Sequence, residues 1–290
     1  MSQLTDYAEN KLADMVRGQA WALPATVYIG LASAATDAAV TELTGTGYAR
    51  VGLTRNLTNW AGTQAPASTL ASSGTSHASS NNVALSWGTS GSAWGTASHV
   101  IAYDAVTGGN AIAYFPLPSP LVIGNAQPVS IAIGGIGFTL GLSGGCSDYL
   151  CNKLIDFIFR GQAFSFPATL YNAYLTATPN NAGGGTEVGG GVGYARVAIA
   201  GSLTALSGTQ GAGSTVASTG SGGVISNNAS ITQAAALTTG AWGTLTATAE
   251  YDAASTGNLI FWAPLNAPKT VPSSVAPPAF AAGTRTITFA

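Results

Sequence analysis

Charge is scarce in this sequence. Only 9 Lys and Arg and 11 Asp and Glu occur among 290 residues, so charged residues make up 7%, against roughly 25% in an ordinary soluble protein. The nine cations are scattered, which excludes the concentrated basic face that neutralises nucleic-acid phosphates. With a net charge of −2, little repulsion keeps copies apart, and a near-neutral surface favours association. No apolar run reaches the ~18 residues of a membrane-spanning helix. The N-terminus lacks a basic segment followed by an apolar one, so no secretory signal is expected. These shortages predict a protein made in the cytoplasm and packed against other proteins, with neither nucleic acid nor membrane as partner.

Groups that carry chemistry are equally few. The two histidines are His77 and His99, and neither sits near a cysteine or a serine nucleophile elbow. Cys146 and Cys151 lack the neighbouring His pair of a zinc site. On one helical turn they would diverge, which disfavours a disulfide, so they read as small apolar residues at a junction. The glycine runs 183–185 and 189–191 are not followed by Lys-Ser/Thr or a helix, so they do not match a phosphate-binding loop. No catalytic, cofactor-binding or metal-binding residue is expected, and no cofactor.

Gly, Ala, Ser and Thr fill the space left by charge, and they do so twice. Residues 17–26, Arg-Gly-Gln-Ala-Trp-Ala-Leu-Pro-Ala-Thr, return at 160–169 as Arg-Gly-Gln-Ala-Phe-Ser-Phe-Pro-Ala-Thr. Asn10-Lys11-Leu12 returns at 152–154, Gly47-Tyr48-Ala49-Arg50-Val51 at 193–197, and Gly62-Thr63-Gln64 at 208–210. Ser80-Asn81-Asn82 returns at 226–228, Trp94-Gly95-Thr96 at 242–244, and Tyr103-Asp104-Ala105 at 251–253. A period of this length is that of a whole domain. Two similar domains are predicted, 1–143 and 144–290.

Each domain opens with an amphipathic helix. Residues 2–17 place Leu4, Tyr7, Ala8, Leu12, Met15 and Val16 near one face, with Ser2 as cap and Gly18 as the left-handed stop. The second copy runs from Ser147 to Arg160 and ends at Gly161. Strands follow at 25–31 and 168–175, 48–53 and 194–199, 83–87 and 229–232. Hairpins span 99–115 and 246–263, with Gly-Asn turns suited to positive φ, and final pairs lie at 129–133 with 137–142 and at 279–280 with 284–289. The Ser/Thr/Gly stretches 61–80 and 207–226 read as ordered loops or edge strands. Short strands with turn signals at this spacing predict a mainly β chain of two antiparallel sandwich, jelly-roll-like domains.

The charges present in both halves are Lys11/Lys153, Asp14/Asp156, Arg17/Arg160, Glu42/Glu187, Arg50/Arg196 and Asp104/Asp252. Glu42 with Asp104, and Glu187 with Asp252, are the one arrangement open to a glycoside hydrolase. The stronger expectation is structural: Glu42 pairs with Arg50, Asp14 with Arg17, and Asp104 accepts backbone N–H bonds at its turn. Trp21, Trp94 and Trp242 are expected in or near the core. Trp60 and Trp87 flank loops and are the candidates for sugar stacking.

The run Asn-Lys-Leu-x-Asp, Arg-Gly-Gln-Ala-aromatic-x-x-Pro-Ala-Thr-x-Tyr, Thr-Glu-apolar, Gly-Tyr-Ala-Arg-Val, Gly-Thr-Gln, Ser-Asn-Asn, Trp-Gly-Thr resembles a family of tailed-bacteriophage virion proteins called tail-fibre-like. Residues 152–290 match nearly end to end; residues 10–142 match with gaps and depart at 34–40. The resemblance implies a non-enzymatic structural protein on the particle. Two compact domains without a shaft point to capsid decoration, a cement on the head lattice, with a tail-fibre or tail-tip component as the alternative and a carbohydrate-binding module behind both. The partners expected are the major capsid protein or tail proteins and further copies of the chain, with a trimer fitting the resemblance.

Overall fold

The computed structural model describes residues 3–64, 68–140, 145–190, 192–233 and 237–289. The chain is mainly β, its strands pair antiparallel, and it forms two similar halves. Its compact units do not follow the repeat boundary. Unit 1 comprises Met1–Glu9, Trp21–Gly141 and Asn152–Phe164; unit 2 comprises Asn10–Ala20, Leu142–Cys151 and Ser165–Ala290. Each unit takes its strands from one repeat and a helix end from the other.

Helix α1 (Asp6–Val16) starts later than the apolar pattern suggests, because residues 4 and 5 are already held by strand residues. Leu4 bridges Ala113, and the Thr5 hydroxyl donates to the Ala111 carbonyl at 2.5 Å. Thr5 is the cap, accepting from the Ala8 amide at 3.4 Å, with Asp6 and Glu9 suited to the positive helix end. The expected cap Ser2 lies outside the described residues. Helix α2 (Asp148–Ile158) repeats this design with Ser147, whose hydroxyl accepts from the Leu150 amide at 3.1 Å. One extra residue just after the helix, Phe159, makes the Asp156–Arg160 pair i,i+4, where Asp14–Arg17 is i,i+3.

Unit 1 holds β1 (Thr26–Ala35), β2 (Val40–Glu42), β3 (Val51–Thr54), β4 (Trp60–Ala61), β5 (Ala78–Asn81), β6 (Leu85–Thr89), β7 (Gly95–Tyr103), β8 (Ala111–Ile123), β9 (Pro128–Ile131) and β10 (Gly137–Thr139). Unit 2 holds the matching β11 (Thr169–Ala177), β12 (Thr186–Glu187), β13 (Val197–Ala200), β14 (Leu206–Ser207), β15 (Val224–Asn227), β16 (Ile231–Thr232), β17 (Gly243–Tyr251), β18 (Leu259–Val271), β19 (Ala279–Phe280) and β20 (Thr286–Thr288). In unit 1, β1 pairs β7 on one edge and takes β3 and β2 in series on the other, and β8 closes the far side of β7. Val27, Ile29 and Leu31 alternate into the core of this sheet, the period of a half-buried strand. Smaller ladders, β10-β5-β4 and β6-β9, complete the unit, and unit 2 repeats the pattern strand for strand.

This pairing departs from the expected jelly-roll sandwich, with its two comparable sheets. The chain between β2 and β3 is diverted by a clamp of Glu42, Tyr48 and Arg50, so β1 is flanked by two short strands. In their described parts the Ser/Thr/Gly stretches wrap a buried guanidinium, and much of that backbone runs outside the ladders. Leu142, expected in the last strand of the first repeat, lies outside the described residues, as does Gly191 of the second glycine run.

Aromatic rings fill the unit 1 core. Trp60, Phe115, Phe138 and Phe159 are fully buried, with Phe159 4.7 Å from Phe138 and 4.9 Å from Trp60, centroid to centroid. Such pairs contribute about 0.5–1.5 kcal/mol each beyond area burial. Phe159 belongs to the second repeat by sequence, so the core of unit 1 depends on the end of α2. Trp60 and Trp87 are therefore not surface contacts: Trp60 is 0% and Trp87 7% exposed.

Candidate functional site

The duplicated arginines and carboxylates gather at two places in each unit. The first is the loop end of the five-stranded sheet. Glu42 at the end of β2 receives Arg50 Nε at 2.9 Å, Arg50 Nη2 at 2.7 Å and the Tyr48 hydroxyl at 2.9 Å. Arg50 Nη1 donates to the carbonyls of Ala105 and Gly108, both at 2.7 Å, and its guanidinium lies 3.3 Å from the Tyr103 ring centre. Unit 2 builds the same cluster from Glu187, Tyr194, Arg196 and Tyr251, with Arg196 donating to the carbonyls of Ala253 and Thr256. Burial raises the Tyr48 phenol above its ordinary value, opposed by its bond to the Leu31 backbone and helped by Glu42. Tyr103 is pushed up to about 12, first by burial and then by Glu42.

The two carboxylates of each hydrolase pairing have internal partners. Both carboxylate oxygens of Glu42 are used as above. Both oxygens of Asp104 are taken by Asn110, through its amide N–H at 2.6 Å and its side-chain Nδ2 at 2.8 Å, and Asp252 holds Asn258 in the same way. These carboxylates shape turns and clamp loops. Beside each cluster lies a cleft, about 420 Å³ in unit 1 and about 300 Å³ in unit 2.

The second place is the helix end. Arg17 and Arg160 are fully buried. Arg160 pairs with Asp156 and donates to the carbonyls of Trp60 at 3.1 Å and Leu70 at 2.5 Å, and Asp156 accepts from the amide and hydroxyl of Ser72. Arg17 does the same in unit 2, with Asp14, the carbonyls of Leu206 and Ser214, and Ser218. This explains Gly-Thr-Gln at 62–64 and 208–210. A Cβ on Gly62 would lie 2.6 Å from Arg160 Nη1, and one on Gly208 2.4 Å from Arg17 Nη1. Thr63 and Gln64 then tie the loop across itself through the carbonyls of Ser73 and Ala71. Buried charge is tolerable here because each group is paired and hydrogen-bonded.

Two arrangements escape the repeat pattern. In unit 2, Glu250 and Arg285 form a buried ion pair, with Asn172 Nδ2 donating to Glu250 at 3.2 Å and to the Thr248 hydroxyl at 2.8 Å. The equivalent positions in unit 1 are Ala102, Ile136, Ile29 and Val100, all buried and apolar. The available signal was that Glu250 and Arg285 are charges with no partner in the first repeat. Arg55 likewise has Gly201 as its counterpart. It caps the C-terminus of α2, donating to the carbonyls of Phe157 and Ile158 and to Pro24.

The remaining candidates are placed as follows. His99 sits on β7 with Nδ1 2.7 Å from the Ser98 hydroxyl, and burial lowers its pKa; His77 lies in a loop at φ +47°. Cys146 precedes the α2 cap and so is not on the same helical turn as Cys151. The thiols are neighbours and do not diverge, and burial, then Cys151, pushes the Cys146 thiol well up, which is the inert state of cysteine. Among the described residues no His, Cys, Asp and Glu group is placed to hold a metal, and no helix is long and apolar enough to cross a membrane.

The family model described as podophage GP4 fiber I protein gp80 matches residues 3–139 and, a second time, residues 145–288. One model fits each repeat in turn, as a tandem duplication requires. A search of curated proteins found no match.

Proposed function

The chain belongs to the podophage GP4 fiber I protein gp80 family, and from that premise we propose that it is a non-enzymatic structural protein of a fibre on the outside of a phage particle. The observation that carries this is the double match to a fibre-protein family, 3–139 and 145–288. It favours the tail-fibre reading over capsid decoration. The chemistry of the clusters supports it: the duplicated arginines and carboxylates are engaged in internal bonds, as a scaffold needs. A charge-poor, hydroxyl-rich surface suits packing against other virion proteins and further copies of the chain.

Electron microscopy of purified particles with antibody against the protein tests the reading. Label at the tail is the expected result. Label spread over the head would restore capsid decoration, and particles without label would remove the protein from the virion.

A further inference from the structure

The same cleft is built twice from unlike sequence. In unit 1 it lies between the start of α1, the β1–β2 loop and the β7–β8 turn; in unit 2 it lies between the start of α2, the β11–β12 loop and the β17–β18 turn. The loops contributing most of the rim have diverged: residues 36–40 read Thr-Asp-Ala-Ala-Val, whereas 178–184 read Thr-Pro-Asn-Asn-Ala-Gly-Gly. The hole survives this change, and so does its chemistry. Each cleft keeps two tyrosines, Tyr7 and Tyr103 or Tyr149 and Tyr251. Each keeps an Asn at the turn, Asn110 or Asn258, and a helix-cap hydroxyl, Thr5 or Ser147. Asp37 on the first rim becomes Asn181 on the second.

We infer that each cleft binds a neutral sugar ring of a surface polysaccharide, an inference that rests on the fibre reading above. The half-buried rings of Tyr7 and Tyr149 receive the apolar C–H face of a pyranose, while the exposed side-chain oxygens of Asn110 and Asn258, with Asp37 or Asn181 on the rim, meet its hydroxyls. The volumes fall at the lower end of the ~300–1,000 Å³ of small-molecule sites, room for one or two rings. Charge chooses the neutral class. The cation on the unit 1 wall, Arg50, is consumed by Glu42 and two carbonyls, while Asp6 and Asp37 line the cleft. Carboxylated, sulfated or phosphorylated sugars would bring like charge beside these carboxylates, and the guanidinium of the wall is already engaged. The unit 2 cleft, with Asn181 in place of Asp37, adds no preference for an anion. Two weak sites on one chain gain avidity on a polysaccharide that repeats its unit.

A panel of immobilised neutral, amino and acidic glycans, probed with the full-length protein, tests this. Binding to neutral members, and weak or no binding to acidic ones, is expected. Ala38 and Ala182 are exposed rim residues whose side chains make no bond, so Ala38→Trp and Ala182→Trp fill the clefts. Each single variant should weaken binding to the best glycan, and the double variant should weaken it at least tenfold at an unchanged melting temperature. Hydrogen exchange on the unmodified protein, with and without that glycan as free oligosaccharide, gives an independent readout. Protection should appear at 37–40 and 181–184. No neutral glycan bound, a preference for acidic ones, a double variant that binds as before, or protection confined to other segments would each overturn the inference. Virion labelling is read separately, so a labelled tail with no glycan bound removes this inference and leaves the fibre reading standing.

Discussion

Arg160 Nε donates to the carbonyl oxygen of Trp60 at 3.1 Å, which puts a residue of the second repeat inside the unit whose strands come from the first. The loop of unit 1 closes around that guanidinium through Ser68, Leu70 and Ser72. Arg160→Met should therefore act at a distance in sequence. It leaves Asp156 buried without its cation, a loss of about 3–5 kcal/mol, and frees the carbonyls that hold residues 68–72. Limited proteolysis should open that loop while the equivalent loop at 214–218 stays resistant. Arg17→Met should give the reverse pattern. Cleavage that follows the mutated repeat and not the unit containing the arginine would refute the exchange of helix ends.

The ion pair Glu250–Arg285 gives a second test, because unit 1 carries its apolar equivalent. Glu250→Ala alone strands a buried guanidinium and should cost about 3–5 kcal/mol. Replacing all four members with their unit 1 counterparts, Asn172→Ile, Thr248→Val, Glu250→Ala and Arg285→Ile, should be neutral or stabilising by up to about 4 kcal/mol. Urea unfolding of the two variants measures both. A quadruple variant as unstable as the single one would mean that unit 2 has repacked around its charges in a way unit 1 does not reveal.

How far the sequence reveals the structure depends on whether a residue works with its neighbours in the chain or with distant ones. The duplication, the helices, the hairpins and the pairs Glu42–Arg50 and Asp14–Arg17 are legible because their partners are near in sequence or recur together. The role of Gly62 is not, because the guanidinium that needs its missing Cβ lies 98 positions on, at Arg160. Trp60 flanks a loop in the sequence, yet that loop is tied to the buried Arg160, which also bonds the Trp60 carbonyl. Asn81 was part of a visible motif, but its work is non-local: Nδ2 donates to the carbonyls of Val83 and Ala132, and Oδ1 accepts from the Ile136 amide. Asn227 serves Ala229, Ala281 and Arg285 identically. The clefts were invisible for the same reason, since three separate segments meet to form each one.

The buried tyrosines predict lability in alkali. Tyr103 and Tyr174 are pushed up to about 12, chiefly by burial, and Tyr48 and Tyr194 are raised further. The unfolded phenol titrates near its ordinary value of about 10. Folded values above unfolded ones mean that the stabilisation is whole below pH ~10 and is lost as pH rises past it, because only the unfolded chain releases its protons. Urea midpoints should fall between pH 9 and pH 11, and by less in Tyr48→Phe/Tyr194→Phe. Phenolate absorbance rising for all ten tyrosines near pH 10 while the fold persists would contradict this.

The helix ends supply the last prediction, and it separates strain from contact. Gly161 sits at φ +67°, and a Cβ there would lie 2.3 Å from the carbonyl oxygen of Arg55; Gly18 sits at φ +79°, 2.3 Å from that of Gly201. Gly88 has a similar φ of +76°, but a Cβ on it would meet nothing within 4 Å. Left-handed backbone alone costs an L-residue about 1–2 kcal/mol, so Gly88→Ala should lose that much and no more. Gly161→Ala and Gly18→Ala carry the same strain plus a collision with backbone, which cannot swing aside as a side-chain tip can. Each should exceed the Gly88 variant by at least as much again in urea unfolding. Equal losses at all three positions would mean that the helix ends can back away from their partner strands, and the close approach would then be incidental to the fold.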